Sequence, residues 1–428
     1  MFSLISIIRL YFNTIIDKIK YILERDCGGG VLFVKNIKYM LIINFIIIMT
    51  VMSGCGGGVE ESLPVKEVMV IEKEKDIEPN IEKEMELKEE VIEFNIKMVG
   101  DNLVNKTLCN DVYREYGEYD FTRFFENVND ELTSADLAII NQETIFVKDN
   151  NDISSYPRFG IAMEMGDALV EAGIDVVAHA TNHTVDKGLQ SVFDTIEYWD
   201  DTHPNMVYLG IHKDENDCNV RFYEEKDVKI GLVNYTYGLN GLEGLIEGNE
   251  YIVDMLSDSG IDEDLEFAKN NSDFVIAILH VGNEYTKSPS DYAKESVDKM
   301  IDGGADLVLC AHPHVVQEYL MVTTEAGNEG LVYYSVGNFI SMQDELPRLI
   351  GGMADITIEK VIIGDESSVS IKSFDMHPLF THQRRGEYTT YMLEDYTEEL
   401  CKRHNKLSSF EINLEIISKI FNEYTAID

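Results

Sequence analysis

LVLCAHPHVVQ, residues 307–317, is an apolar run that gives out in two histidines with a proline between them. Side chains two apart on a regular strand share a face. The proline removes a ladder hydrogen bond, so the strand is expected to stop there. His312 and His314 would then stand on a loop at the carboxyl edge of a sheet, where open α/β sheets place their ligands. Taken alone, the stretch is equally compatible with two ordinary loop histidines, and the rest of the chain has to decide.

Working outward, five more apolar runs share the pattern: FNIKMVGD (94–101), ADLAIINQE (135–143), GIDVVAHATNH (173–183), SDFVIAILHVGNEY (272–285) and GLVYYSVGNF (330–339). Helix-like segments intervene, such as MGDALVEAG (165–173) and SDYAKESVDKMIDGG (290–304). Strands alternating with helices predict an α/β layered fold with much parallel pairing.

What ends the runs matters most. Successive strand ends carry Asp101, Glu143, Asn182 with His183, His280, and His312 with His314. Each is a metal-ligand or proton-carrying type, and all are expected at one edge. Mixed oxygen and nitrogen donors without cysteine suit divalent transition ions (Mn, Zn, Fe, Ni or Co) rather than Ca or Mg. The donors suffice for one or two ions, and Glu143 is the candidate bridge of a two-metal arrangement. His179, inside an apolar run, reads as a core or supporting residue.

The chain has 35 basic against 78 acidic residues, a formal charge of −43. That excludes a general affinity for nucleic acid, whose phosphates need Lys and Arg, and attraction to an anionic lipid surface by charge. An anionic substrate stays open, because a bound metal inverts the local potential. Six cysteines stand at 27, 55, 109, 218, 310 and 401, none in CxxC spacing, so no zinc knuckle or thioredoxin-like pair is suggested. Cys310 reads as a small core residue.

Near the amino end, KNIKYMLIINFIIIMTVMSGC (35–55) has a basic start, an apolar stretch and small residues last, the grammar of a secretory signal. Its VMSGC end is similar to a bacterial lipobox, with Met52 where Leu is usual and Cys55 as the lipidated residue. An uncleaved membrane helix is the alternative. Both place the protein at the extracytoplasmic face of a bacterial membrane, and a lipid with two or more chains would hold it firmly. Residues 1–34 form an amphipathic, then glycine-rich extension; either translation starts near Met40 or Val31, or this is a second membrane-associated segment. Residues 56–93, rich in Gly, Glu and Lys, read as a solvated tether or short surface helix.

GD at 100–101, NQE at 141–143, TNHTVDKG at 181–188, HVGNEY at 280–285, AHPHVVQ at 311–317 and SVGNF at 335–339 resemble, in order, the signatures of CapA-type poly-γ-glutamate biosynthesis proteins. The resemblance covers about residues 94–380. It implies a metallophosphoesterase-like fold of the calcineurin superfamily, a layered β-sandwich flanked by helices, over residues 94–385. Residues 386–428 then form a helical tail packed on it, SSFEINLEIISKIFNEY being a helix with a capping serine and an apolar stripe.

Carried over position by position, the resemblance implies one site of Asp101, Glu143 and His314 and another of Glu143, Asn182, His280 and His312. His183 would be general acid or phosphate contact, oriented by Asp186. Gln142, Thr181 and Val281 replace the family's usual Leu, Asn and Trp. Leu103 stands where classical members of the superfamily have a D-x-H histidine, which thins one site. Tyr285, with Glu284, is expected to line the pocket, Asn338 to shape its rim, and Arg348 to neutralise a substrate anion. NYTYGLNG (234–241) also resembles the family, with no role assigned.

Two functions follow from the resemblance. One is an accessory role in making, exporting or anchoring poly-γ-glutamate beside membrane partners of that pathway. The other is metal-dependent hydrolysis of a phosphoester or of a γ-glutamyl polymer.

Overall fold

The computed structural model describes residues 89–405 and 412–427. The leader, Cys55 and the tether through Lys88 lie outside the described residues. Among the described residues, no helix is long and apolar enough to cross a membrane.

Two sheets carry the architecture. The first runs, neighbour to neighbour, Thr389–Met392, Glu366–His382, Ile350–Ile363, Glu89–Asn102, Leu137–Asn141, Val176–Ala178 and Val207–Leu209, with Asn338–Ile340 joining the end of Glu89–Asn102. Its members from Glu89–Asn102 to Val207–Leu209 are parallel and the rest of the path is antiparallel. The second runs Tyr319–Thr323, Glu329–Tyr333, Leu307–Ala311, Phe274–His280, Val228–Thr236 and Arg221–Glu225. Its four central strands are parallel and its two edges antiparallel.

The sheets pack face to face. Phe94, Ile96, Met98, Leu137, Ile139 and Val176 of the first share one buried cluster with Ile230, Leu232, Ile276, Ile278, Leu307 and Leu309 of the second. Residues one position out of phase, such as Val99, Ala138, Ile140 and Val177, point the other way and meet helix residues Leu108, Leu169, Val192 and Trp199. Period-two side chains buried on both faces explain why these strands read as continuous apolar runs. The result is a layered β-sandwich flanked by helices. Helix Asp291–Gly303 shows the local logic: the Ser290 side chain accepts from the Ala293 amide, Ala293, Val297, Met300 and Ile301 face inward, and Gly304 at φ 115° ends it.

Four aspartates set the starts of parallel strands. Asp136, Asp175, Asp273 and Asp306 each accept a neighbouring strand's amide, from Asn95, Ala138, Lys229 and Val275 at 2.8–2.9 Å. Each carboxylate satisfies an N–H at the amino edge of a sheet, which pins register there.

At both ends of the domain the pairing reaches further than the sequence reading placed it. The first strand starts at Glu89, where Glu89–Glu93 pair with Glu359–Ile363. Thr389–Met392 adds a strand beyond residue 385. The last helix is Leu414–Thr425, capped by Asn413 rather than by serine, with Ile417 and Phe421 in the core.

Candidate metal centre

All the singled-out strand ends meet at one edge of the sandwich. Asp101, next to last in the strand Glu89–Asn102, lies beside Gly337, whose carbonyl accepts the Asp101 amide at 2.9 Å. A Cβ on Gly100 would lie 1.8 Å from that carbonyl oxygen, so the Gly-Asp pair is needed for the two backbones to meet. The strand Leu307–Ala311 stops before His312, and His312 and His314 both adopt positive φ, 101° and 60°. Such conformations are costly for residues with a Cβ and cluster at functional sites. Here they turn both rings into the edge. The His312 amide lies 3.3 Å from each Asp101 carboxylate oxygen.

Glu143 sits at the centre. Its Oε1 is 3.7 Å from His314 Nε2 and 3.9 Å from both His280 Nε2 and His183 Nε2. Neither of its carboxylate oxygens has a hydrogen-bond partner, and the side chain is fully buried. A buried carboxylate without a partner is a large unfavourable term unless a cation completes it. Donor atoms of Glu143, His280 and His312 converge within 4.8 Å of one another, as do those of Asp101, Glu143 and His314, and of Glu284, His312 and His314. Asn182 Oδ1 stands 3.0 Å from His280 Nε2. This donor chemistry fits a divalent cation.

The electrostatics agree. Burial raises the Glu143 carboxyl well above its usual range, against the pull of His314. Burial, reinforced by the other histidines, holds His280 well below its usual value and His312 at about 3, so both are neutral donors. Burial also pulls on His314, but Glu143 and Asp101 overcome it and hold its imidazole at about 9.

Several residues the sequence reading left aside hold the centre together. Asn141 donates to Asp101 Oδ1 at 2.8 Å and lies 3.2 Å from His280 Nδ1. Thr181 Oγ1 donates to the Glu143 carbonyl at 2.9 Å and accepts the His183 amide at 3.1 Å. The NYTYGLNG stretch gains a role: Asn234 accepts the Ala180 amide and donates to the Ile278 carbonyl, tying the two sheets near the edge. The Tyr237 ring lies tilted against the His312 ring with centroids 4.7 Å apart, and Asn240 accepts from Asn182 at 3.3 Å. Their signal was only a polar residue at or near the end of an apolar run, and in NYTYGLNG an Asn-Gly turn pair after it.

Beside the centre opens a cavity of about 640 Å³, whose lining includes Leu103, Arg158, His183, Asp186, Glu284, Tyr285 and His314. Asp186 Oδ2 is 2.6 Å from His183 Nδ1 and also accepts the Phe159 amide at 2.7 Å. Tyr285, at φ 64°, faces the His314 ring at 5.8 Å. Asn338, expected at the rim, is committed to protein: it donates to the carbonyls of His314 and Arg348, and its Oδ1 is 3.1 Å from His314 Nδ1. Arg348, expected to meet a substrate anion, stacks 3.5 Å over Tyr285 and pairs with Glu345 instead. His179 is a core residue, accepting from Trp199 Nε1 at 2.9 Å and held neutral by burial at about 3.

A model of the family described as bacterial capsule synthesis protein PGA_cap matches residues 95–343. Among curated relatives, the capsule biosynthesis protein CapA of Bacillus anthracis is 26% identical over 257 residues, 58% of this chain and 59% of the relative. The PGA biosynthesis protein CapA of Bacillus subtilis (strain 168) is 25% identical over 180 residues, 40% of this chain and 44% of the relative. The chain therefore spans 59% and 44% of the length of these relatives. Among solved structures, a calcineurin-like phosphoesterase of Bacillus subtilis is similar with a TM-score of 0.43 at 12% identity, covering 78% of this chain and 97% of that one. A phosphatase of Mycoplasma pneumoniae gives 0.42 at 14%, covering 73% and 100%. Both likenesses are too distant to carry an argument about activity.

Proposed function

The chain belongs to the bacterial capsule synthesis protein family PGA_cap, and from that membership we propose that it serves the synthesis, export or anchoring of a capsule polymer of the poly-γ-glutamate kind, through a metal-centred pocket. The observation that carries the reading is Glu143: a fully buried carboxylate with neither oxygen paired, set among histidines, inside the family-matched region. Asp101, Glu143 and His314 would hold one ion and Glu143, Asn182, His280 and His312 another. Bound there, a divalent transition ion would lower the pKa of a water and neutralise charge developing on an ester or amide. The lipobox-like stretch ending at Cys55 supports attachment to the outer face of a cell membrane, beside membrane proteins of polymer assembly.

Deletion of the gene, complemented by parent or by the Glu143→Ala, His312→Ala double variant, tests this. Loss of cell-associated polymer restored only by the parent is expected; unchanged polymer on deletion would sink the capsule reading.

A second reading, hydrolysis of a phosphoester or γ-glutamyl bond apart from capsule assembly, is favoured by the His183–Asp186 pair at 2.6 Å. A site that only gripped polymer carboxylates has no use for an oriented proton carrier. Asp186 would keep the proton on Nδ1 and steady the imidazolium, whose Nε2–H would protonate a leaving group.

A further inference from the structure

Arg158 is the one lysine or arginine lining the cavity that holds His183, Asp186 and His314. Its side chain is exposed, and among the described residues its guanidinium forms no ion pair or hydrogen bond. Among the described arginines other than Arg158, only Arg385 likewise forms no ion pair, in a chain of 35 basic and 78 acidic residues. Arg123, Arg221, Arg348, Arg384 and Arg403, for example, are all paired with carboxylates.

The backbone that presents Arg158 is fixed on both sides. The Ser154 amide donates to the Gly160 carbonyl at 3.0 Å, and Ser154 Oγ donates to the Arg158 carbonyl at 2.5 Å. The next residue, Phe159, gives its amide to Asp186 Oδ2 at 2.7 Å and lays its ring edge-on to His183 with centroids 4.7 Å apart. The loop is therefore built onto the pair assigned to proton transfer, and it ends in an unused planar cation at the mouth of the same cavity.

We propose that Arg158 is the anion anchor of this cavity, binding a carboxylate or phosphate group of the substrate outside the Glu143 centre and so selecting anionic substrates. The inference rests on the metal-centred reading above and adds where the substrate's second charge is held. The physical need is plain. An anionic substrate approaching a strongly acidic protein is repelled at long range, and Glu284 adds a negative charge to the cavity wall. A guanidinium presents paired N–H donors that match either oxyanion bidentately, and it stays charged at any working pH. Arg348 cannot substitute, because Glu345 and the Tyr285 ring already engage it.

The test uses the full chain in detergent, supplied with manganese, as parent, Arg158→Ala, Arg158→Lys and Lys148→Ala. Lys148 pairs with Glu197 on the surface, so its variant removes the same charge from an exposed ion pair that does not line the cavity. Inorganic phosphate and a γ-linked tetraglutamate are titrated by calorimetry, and metal content is measured on the same samples. Loss of a charge-assisted bidentate contact is expected to weaken binding about tenfold in Arg158→Ala. Arg158→Lys should recover part of it and Lys148→Ala should match the parent. An effect on phosphate alone points to a phosphoester, and an effect on the γ-glutamyl oligomer alone points to a polymer carboxylate. Equal binding by parent and Arg158→Ala, or no binding of either anion by the parent, overturns the anchor. A parent without metal would instead defeat the metal-centred reading, and the comparison of anion binding still decides the anchor.

Discussion

His183 points its two ring nitrogens at two carboxylates: Nδ1 lies 2.6 Å from Asp186 Oδ2, and Nε2 lies 3.9 Å from Glu143 Oε1. The short contact fixes the tautomer and leaves the other nitrogen free toward the cavity. His183→Ala should leave metal content nearly intact. If the protein turns over a phosphodiester, phosphomonoester or γ-glutamyl substrate, the rate should fall by about 10²–10⁴-fold. Asp186→Asn keeps an acceptor for the Phe159 amide but cannot steady an imidazolium, so it should reproduce most of the loss and shift the pH–rate profile. Loss of metal in His183→Ala would show that this residue is a ligand and not a proton carrier.

The unpaired Glu143 carboxylate makes a prediction about stability as well as metal. Elemental analysis of the parent should find about one to two transition ions per chain, the capacity of a bridged site. The Glu143→Ala, His312→Ala protein should hold none. A ligand bound only by the native state stabilises it by mass action, so chelation should lower the parent's melting temperature. Glu143→Gln should melt at a temperature indifferent to chelator, because it lacks the charged bridge that both sites need. A double variant that kept its full metal would move the centre elsewhere.

The sequence showed the fold class and the cluster of strand-end residues for one reason: both follow from period-two patterning and from what stands where the pattern breaks. His312, His314 and His280 end long apolar runs, so their edge could be read. Arg158 and Thr181 could not be found that way. Arg158 sits on a loop with no apolar run leading to it, and the value of Thr181 lies in a hydroxyl aimed at a carbonyl 38 residues earlier in the chain. Asn338 was expected at the rim of the pocket and Arg348 at a substrate anion, and sequence order says nothing about which protein partners either side chain finds. Asn338 is used up by His314, Gln343 and the Arg348 carbonyl. The aspartates that start the strands were visible in ADLAII, IDVV, SDFVI and ADLVL, but their meaning needed the neighbouring strand's amide.

Those aspartates are testable as register pins. Asp306 Oδ2 accepts the Val275 amide at 2.8 Å, and Asp306→Ala leaves that N–H without its partner. A cost of about 1–2 kcal/mol is expected. Asp306→Asn retains an acceptor and should cost less than half of that. Chemical denaturation of the three proteins measures it; equal midpoints for parent and Asp306→Ala would remove the pin from the account.

The Thr181 hydroxyl links the backbones of Glu143 and His183. Thr181→Val keeps the shape and leaves a buried carbonyl and a buried amide unpaired. Losses of about 1–3 kcal/mol in stability and about 10–100-fold in metal affinity are expected. Thr181→Ser keeps the hydroxyl and should behave like the parent. A valine variant with parental metal affinity would show that the bridge carboxylate does not depend on this link.

A buried histidine outside the centre gives the protein a pH-dependent stability of its own. His212 is 2% exposed and its Nε2 lies 2.8 Å from Asp254 Oδ2, in a segment where the His212 amide donates to the Ile252 carbonyl and the Asp254 amide to that of Gly210. Asp217 stands 3.8 Å from Nδ1, too far to hydrogen-bond, and is itself held by Arg221 at 2.9 Å. Burial pulls the His212 imidazole down and Arg221 opposes its charge, but Asp254, helped by the charge of Asp217, outweighs both and holds it at about 9. A folded value above the unfolded one of about 6.5 means that the charged pair stabilises fully below pH 6.5. The contribution is then lost as pH rises toward 9, up to about 3 kcal/mol in all. The urea midpoint of the parent should fall between pH 6.5 and 9. His212→Gln should be less stable at pH 6 and should lose less stability than the parent over the same interval, His314 accounting for a remaining slope when no metal is bound. If the two proteins lost stability in parallel across that window, His212 would not be the group that titrates.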